Sequence, residues 1–469
     1  MLWRFLLASV ATVVAISAAP PNIVLIVSDD QGWNDVSYHG SEVRTPNIDR
    51  LAREGAELDR FYVSPVCSPT RAGLMTGRYP IRFGMQRAVC RPFLEVGVPP
   101  EEEILPEMLA GAGYKRRGAV GKWHIGHSHK RYHPLRQGFT SYYGHYNGNI
   151  DYFTHFREGE LDWHRGFEPS FDEGYSTDLI ADEAARFIGE STAEEPFFLY
   201  VAFNAPHAPM QVPPKWLDAY ADISDETRRT NAAMIACLDA GIGRILDALD
   251  KAGEAENTLV WFMSDNGAGP GSNHPLRAGK GTMYEGGIRV PAAVRWPGKI
   301  EPERKIDAML TYLDVWPTLR AAAEMEANQR PGRPLDGVNA LDLLLGKVSD
   351  VERQPFYSYY ERYAAESLAV IDGEWKLVRN GPPILGVNPA DAPPPGTHKA
   401  ARETLQVELF NLSTDPLEQE DVSQEHPEIV ERLLAQLEEF RRLRPEGGVP
   451  PMTAPFPPGW KAPKQWEMK

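Results

Sequence analysis

Three segments of this chain are apolar through most of their length and turn polar only at their ends. Asn22–Asp30 closes on Ser28-Asp29-Asp30, Phe197–His207 on Asn204-Ala205-Pro206-His207, and Thr258–Gly267 on Ser264-Asp265-Asn266-Gly267. Continuous rather than alternating apolarity predicts strands buried on both faces. Between them, apolar residues at helical spacing predict helices over about 104–113, 177–190, 229–252 and 313–325. Strands alternating with helices predict an α/β domain built on a large, mostly parallel mixed sheet flanked by helices. Ligands of such sheets gather beyond the carboxyl ends of the strands. Asp29, Asp30, His207, Asp265 and Asn266 are therefore expected along one edge.

From about residue 350 the pattern changes. Glu374–Val378 and Glu408–Leu412 read as short strands on either side of the Pro-rich 382–396. A helix over about 427–443 follows, with Ile429, Leu433, Leu434, Leu437 and Phe440 at helical spacing. This is a smaller antiparallel sheet with a covering helix. At the other end, Arg4 precedes the apolar run Phe5–Ile16, and Ser17-Ala18-Ala19 offers small residues for cleavage before Pro20. The run is shorter than the roughly 20 residues a membrane span requires, so it reads as a secretory signal with no stable membrane insertion. The expected division is a signal peptide at 1–19, the main domain at 20–349, the smaller domain at 350–443 and a Pro-rich tail at 444–469. The protein is expected to be exported, to a periplasmic or extracellular compartment.

Composition sharpens two points. The formal charge of −16 becomes −17 when Arg4 leaves with the signal, which argues against nucleic acid as a partner. Three cysteines, Cys67, Cys90 and Cys237, are too few for a disulfide framework. Cys237 falls in the apolar helical pattern and reads as core, and Cys90 and Cys237 are left as thiols.

The candidate chemistry starts from Asp29-Asp30. Two adjacent carboxylates at a strand end repel each other, and desolvation raises their pKa values unless a cation neutralises them. Asp265 and Asn266 add a carboxylate and an amide oxygen at a second strand end. Hard oxygen donors favour Ca²⁺ or Mg²⁺ over Zn²⁺. Pro69 suits a first helical turn, so Cys67 is expected just before a helix N-terminus, which attracts anions. In Gly121-Lys122-Trp123-His124, Lys122 and His124 stand two residues apart on one side of an extended segment. His207 is flanked by Pro206 and Pro209, and Lys280 sits in the glycine-rich Leu276–Gly287. Arg71, Lys122 and Lys280 would supply local positive charge against the acidic whole.

These motifs, in order, resemble the sulfatase family. Cys67-Ser68-Pro69-Thr70-Arg71 matches its C-x-P-x-R signature, in which a maturation enzyme oxidises the cysteine to formylglycine. Asp29-Asp30-Gln31-Gly32, Gly121-Lys122-Trp123-His124, Ser264-Asp265-Asn266-Gly267 and the Lys280 loop are similar to further family motifs. The resemblance is nearest to the arylsulfatase B type, which includes N-acetylgalactosamine-4-sulfatases, and also covers Trp375-Lys376-Leu377 and Leu409–Pro416. It implies an alkaline phosphatase-like fold and one Ca²⁺ bound by Asp29, Asp30, Asp265, Asn266 and the formylglycine at position 67. It implies a hydrated aldehyde, one hydroxyl of which, activated by Ca²⁺ and Asp265, attacks sulfur in line. His207, helped by Lys280, serves the leaving oxygen, and His124 takes a proton from the second hydroxyl so that a hemiacetal sulfate collapses to aldehyde and sulfate. Lys122 and Arg71 complete the catalytic set.

Sulfated carbohydrates or aryl sulfates are the implied substrates, with the 4-sulfate of a galactosamine-type sugar as one candidate. The segment His127–Phe171, dense in His, Tyr, Trp and Gly, reads as a sugar-facing loop or as an amphipathic loop packed on the sheet edge. Arg87, Arg91 and Arg277 are candidates for reading neighbouring acidic groups. Two alternatives stand beside this reading: a phosphate mono- or diesterase of the same superfamily, and an inactive calcium-stabilised carbohydrate-binding protein.

Overall fold

The structure is a computed structural model that describes residues 20–86, 89–192, 195–325, 333–362, 365–382, 404–445 and 456–469. The expected signal at 1–19, Arg87 and most of the Pro-rich 382–396 lie outside the described residues.

The strand Asn22–Ser28 lies at the centre of a ten-stranded mixed sheet. Thr258–Ser264 pairs parallel to it on one side and Phe197–Ala202 on the other, with Arg116–Lys122 and Ser141–His145 continuing in parallel. Beyond Thr258–Ser264 the direction reverses at Ala292–Arg295. The unbroken apolarity has a simple cause. Ile23, Leu25 and Val27 enter one core cluster and Val24 and Ile26 another, so alternate side chains serve the two faces. Helices Ser176–Gly189 and Glu226–Ala252 cover the second face, with Ala181, Ala184, Ile235 and Leu238 fully buried in that cluster. Helices Cys67–Thr76, Leu105–Gly111 and Val315–Ala322 cover the first, through Leu74, Leu109 and Leu319.

Register aligns the strand ends. Ser28 stands opposite Ser264, Val27 opposite Ala202, and Ala202 opposite Gly121. The residues that follow these four strands therefore emerge together at one rim.

Four antiparallel strands, Phe356–Arg362, Ala365–Asp372, Trp375–Gly381 and Gln406–Asn411, form the smaller sheet in chain order. Helix Pro427–Arg441 packs on it through Leu433, Leu437 and Phe440. The first two of these strands are absent from the sequence reading. Their charges explain why: Glu366 is fully buried, and it is satisfied by the Arg441 guanidinium and the Tyr359 hydroxyl, partners that sequence does not reveal. The tail also differs from a featureless one. Trp466 and Met468 are buried, the Trp466 indole donates to the Arg157 carbonyl at 3.2 Å, and the backbone of Lys469 exchanges hydrogen bonds with Ser128 and Lys130.

The His127–Phe171 segment mostly turns inward. His127, His133, His145, His155, His164 and Trp163 are buried, while Phe153, Phe156, Phe167 and Phe171 face out. His133 shows what this burial does. Its Nδ1 accepts the Leu135 N–H at 3.1 Å and its Nε2 donates to the Gly166 carbonyl at 3.0 Å, which requires the neutral ring. Burial lowers its pKa to about 4 and that of His145 to about 3. The unfolded chain takes up these protons from about pH 6.5 downward, whereas the folded protein does not. The contribution of these two histidines is therefore complete above pH 6.5 and is lost as pH drops toward 4, by on the order of 3 kcal/mol from His133 alone. Denaturation midpoints at pH 7 and pH 4 check this, and His133→Phe should narrow the difference between them.

Candidate active site

The rim is tied together by backbone bonds before any side chain is considered. Asp29 N–H donates to the Ala205 carbonyl and Asp265 N–H to the Ser28 carbonyl, both at 3.1 Å. Asp30 N–H donates to Asp265 Oδ1 at 3.2 Å. Asp30 and His124 both occupy left-handed backbone, φ 68° and 56°, a cost of order 1–3 kcal/mol that tends to gather at working sites. The turn at His124 also ends the extended run, so it is not simply two positions along a strand from Lys122.

Cys67 arrives on helix Cys67–Thr76, whose every residue is buried. The expectation placed it just before the helix; it is the first helical residue, with Val66 as the cap position. Pro69 still falls in the first turn, where its missing N–H costs nothing. Gly77 closes the helix at φ 67°, a left-handed conformation suited to glycine. Burial raises the Cys67 thiol pKa, against the pull of Lys122 and Lys280.

Around it, charges pair closely. Lys122 Nζ donates to Asp29 Oδ2 at 2.6 Å, and Lys280 Nζ to both oxygens of Asp30 at 2.5 and 2.7 Å. Arg71 brings Nε and Nη2 to Asp265 Oδ2 at 2.9 and 2.8 Å, with Nη2 3.8 Å from Asp29 Oδ1. Three carboxylates thus face three cations. Burial pushes Asp29 up to about 8 despite Lys122, helped by the charges of Asp265 and Asp30. Burial acts on Asp30 in the same sense, but His207 and Lys280 outweigh it and hold that carboxyl well below its ordinary range.

The two candidate acid–base histidines have defined ring nitrogens. Among the described residues, His124 Nε2 lies 3.1 Å from the Cys90 carbonyl and Nδ1 is buried with no hydrogen-bond partner, so Nδ1 is left as the proton-accepting atom. Burial drives its pKa well below the usual imidazole range, with Lys122 and Arg71 adding to the effect. His207 Nδ1 lies 2.6 Å from the Ala208 carbonyl, which leaves Nε2 facing Asp30 Oδ2 at 3.6 Å. Burial lowers its pKa to about 4, Asp30 opposing.

Ligand atoms of Asp29, Asp30, Cys67 and His207 all lie within 4.8 Å of one another. Asp29 Oδ1 and Asn266 Oδ1 are buried and accept no hydrogen bond from the described residues. An acceptor left unpaired in that way costs about 1–3 kcal/mol, and a hard cation removes the cost. The donor set fits a calcium ion in that respect. Both oxygens of Asp265 accept hydrogen bonds, one from the Asp30 N–H and one from Arg71. His207 stands closer to the cluster than the oxygen-only reading allowed.

Two contributors went unread in the sequence. Ser68 Oγ donates to the His124 carbonyl at 2.8 Å and accepts the Cys90 N–H at 2.9 Å, linking the cysteine helix to both. Ser68 lies inside the cysteine motif, which was its available signal. Tyr200 places its hydroxyl 3.4 Å from Arg71 Nη1 from mid-strand, and nothing in the sequence marks it. Arg277, offered as a reader of acidic groups, is instead paired with Glu408 at 2.9 Å. All three cysteines are buried free thiols, as expected for Cys90 and Cys237.

An α/β sheet whose rim gathers a cysteine, paired acids, lysines and histidines defines a hydrolase for anionic esters. The family profile described as Sulfatase matches residues 21–325, and that described as N-sulphoglucosamine sulphohydrolase, C-terminal, matches 278–381. Mouse arylsulfatase J is 32% identical over 92% of this chain and 77% of its own length. Human N-acetylgalactosamine-6-sulfatase is 33% identical over 85% of this chain and 80% of its own. The solved structure of Ps i-CgsB in complex with k-i-k-neocarrahexaose superposes with a TM-score of 0.80 at 31% identity, covering 92% of this chain and 94% of that one. The chain belongs to the sulfatase family and is a sulfuric ester hydrolase.

Proposed function

We propose that this protein removes sulfate from a sulfated carbohydrate, using formylglycine made from Cys67 and one calcium ion. The observation that carries the reading is the convergence of ligand atoms of Asp29, Asp30, Cys67 and His207 within 4.8 Å, beside two buried oxygens that accept no hydrogen bond from the described residues. Hydrated formylglycine at position 67 would supply two hydroxyls on one carbon, one as a nucleophile toward sulfur and one as an ionisable group. A calcium ion would be held by Asp29, Asp30, Asp265, Asn266 and residue 67, and would supply positive charge toward the sulfate oxygens.

The chain's own groups do the rest. Arg71 fixes Asp265 and Lys122 fixes Asp29, so the acidic rim keeps its shape. Lys280 and His207 converge on Asp30 and are assigned to the leaving oxygen. His124 Nδ1, freed by the bond of Nε2 to Cys90, is assigned the proton of the second hydroxyl. The buried Arg71 and Lys122 and the half-buried Lys280 offset the three carboxylates, so a bound divalent ion would tip the rim positive against a net charge of −17.

The reading also includes export after removal of 1–19, a maturation enzyme that oxidises Cys67, and the division at 349/350 and 443/444. The sugar-bearing Ps i-CgsB structure and the N-acetylgalactosamine-6-sulfatase relative support a carbohydrate substrate. The test has two parts. Mass spectrometry of the Cys67 peptide from the native host should show loss of the mass difference between SH plus H and a carbonyl oxygen. Matured protein given defined sulfated oligosaccharides should release inorganic sulfate, while phosphate esters offered alongside remain intact. An unmodified thiol, or phosphate release alone, refutes the reading.

Asp30→Ala should lower calcium retention roughly tenfold or more, because it removes a ligand and releases Lys280. Titrating calcium back into chelated protein, wild type against variant, reads this directly.

A further inference from the structure

The segment bearing Lys280 is a narrow loop, and its grip comes from the smaller C-terminal sheet. Gly286 N–H donates to the Arg277 carbonyl at 2.9 Å and closes the stem. Lys280 N–H reaches the Ala268 carbonyl at 3.1 Å and Gly281 N–H the Pro65 carbonyl at 2.9 Å, so the loop touches the strand end and the approach to Cys67.

Outside the stem, Glu408 of strand Gln406–Asn411 holds both sides at once. Its Oε1 pairs with Arg277 Nη2 at 2.9 Å, and its Oε2 accepts the Tyr284 hydroxyl. Arg277 lies three residues before Lys280 and Tyr284 four residues after it. The Arg277 guanidinium stacks 4.0 Å over the Tyr284 ring and donates from Nη1 to the Glu418 carbonyl at 2.9 Å.

One residue further, a buried charge cluster pins the same stem. Lys376 Nζ pairs with Glu285 Oε1 at 2.8 Å and Glu418 Oε1 at 2.7 Å, all three side chains being 0–1% exposed. Glu418 Oε2 accepts the Glu285 N–H at 2.6 Å, and the Tyr62 hydroxyl donates to Glu285 Oε2 at 2.9 Å. Buried ion pairs give little net stability against apolar replacements, and their best-attested use is to specify one arrangement. Here the arrangement specified is that of the loop carrying Lys280.

We propose that Glu408, with the Lys376–Glu418–Glu285 cluster behind it, is a positioning device for Lys280, so that the smaller sheet sets the geometry of the catalytic lysine. This rests on the assignment of Lys280 to the leaving oxygen. Glu408 touches no substrate; it acts through Arg277 and Tyr284. A displacement of about 1 Å of a catalytic group costs about a hundredfold, which sets the scale.

The test is a double-mutant cycle on matured, calcium-loaded enzyme with a chromogenic aryl sulfate. Glu408→Ala should lower kcat by about 10- to 100-fold with KM nearly unchanged and the melting transition retained. In a Lys280→Ala background the same change should cost less than about threefold, because the group it positions is gone. Glu408→Gln, which keeps an acceptor for Tyr284 but removes the charge facing Arg277, should fall between, and replaces Glu408→Ala in the cycle if that variant fails to fold. Equal losses in both backgrounds would mean a general structural role and overturn the proposal. Full activity of Glu408→Ala beside an impaired Lys280→Ala overturns it while sparing the Lys280 assignment; full activity of Lys280→Ala overturns both.

Discussion

Cys67→Ala should abolish sulfate-ester hydrolysis, by on the order of 10⁴- to 10⁶-fold, the range seen when an essential nucleophile is deleted. The fold should survive. Cys67 is 1% exposed and stands at the first position of its helix. The helix is held by burial of Leu74 and Met75 and closed by Gly77, none of which the substitution touches. Loss of one buried sulfur costs about 1 kcal/mol. Sulfate release measured by ion chromatography, beside a denaturant titration, separates the two effects. Cys237→Ala is the control, because that thiol lies in the core of helix Glu226–Ala252 and should leave turnover intact. Turnover by Cys67→Ala at the wild-type rate would end the nucleophile assignment.

The second large effect is expected at Arg71. Arg71→Met keeps much of the side-chain volume but strips the guanidinium from a position with no solvent exposure. Asp265 then loses Nε and Nη2, and Asp29, already pushed up by burial and its acidic neighbours, loses the nearby positive charge. Breaking a buried pair from one side costs about 3–5 kcal/mol, since the surviving charge stays buried. Stability should fall by that amount and turnover by about 10²- to 10³-fold. Added calcium should restore part of the stability, because it neutralises the same carboxylates. Arg71→Lys should not rescue, since one ammonium cannot reach Asp265, the Lys122 carbonyl and the Tyr200 hydroxyl together. Denaturation curves with and without calcium check all three statements. An unchanged midpoint for Arg71→Met would show that the charge pairing at the rim is not what stabilises it.

Particular residues show how far the sequence could be read. Asp29, Asp30 and Asp265 were legible because each follows an apolar strand whose end is marked by the change from apolar to polar residues. Cys67 was legible because a helix-starting proline and an arginine follow it closely. For His127–Phe171 the letters leave two readings open, a sugar-facing loop or one packed on the sheet edge, and the burial favours the packed one. In space His133 and His155 are core groups bonded to carbonyls, His145 is buried with its ring stacked against Trp163, and the outward rings include four phenylalanines. The strands around Glu361 and Glu366 were missed for the complementary reason, that a buried carboxylate is only acceptable once its partner is known.

Sequence alone determined the two-faced burial of the central strands, the identity of the groups at their ends and the placement of a cysteine at a helix start. These follow from local rules: apolar periodicity, turn chemistry and the spacing of a motif. The tertiary structure alone decided which charges pair. It set Lys122 on Asp29, Arg71 on Asp265 and Lys280 on Asp30, partners separated by 93, 194 and 250 positions. It also brought Glu408 and Lys376 to the stem of the lysine loop. Pairing of this kind depends on distances of a few ångströms in a water-poor interior, and only the packing of the sheet against its helices fixes those distances.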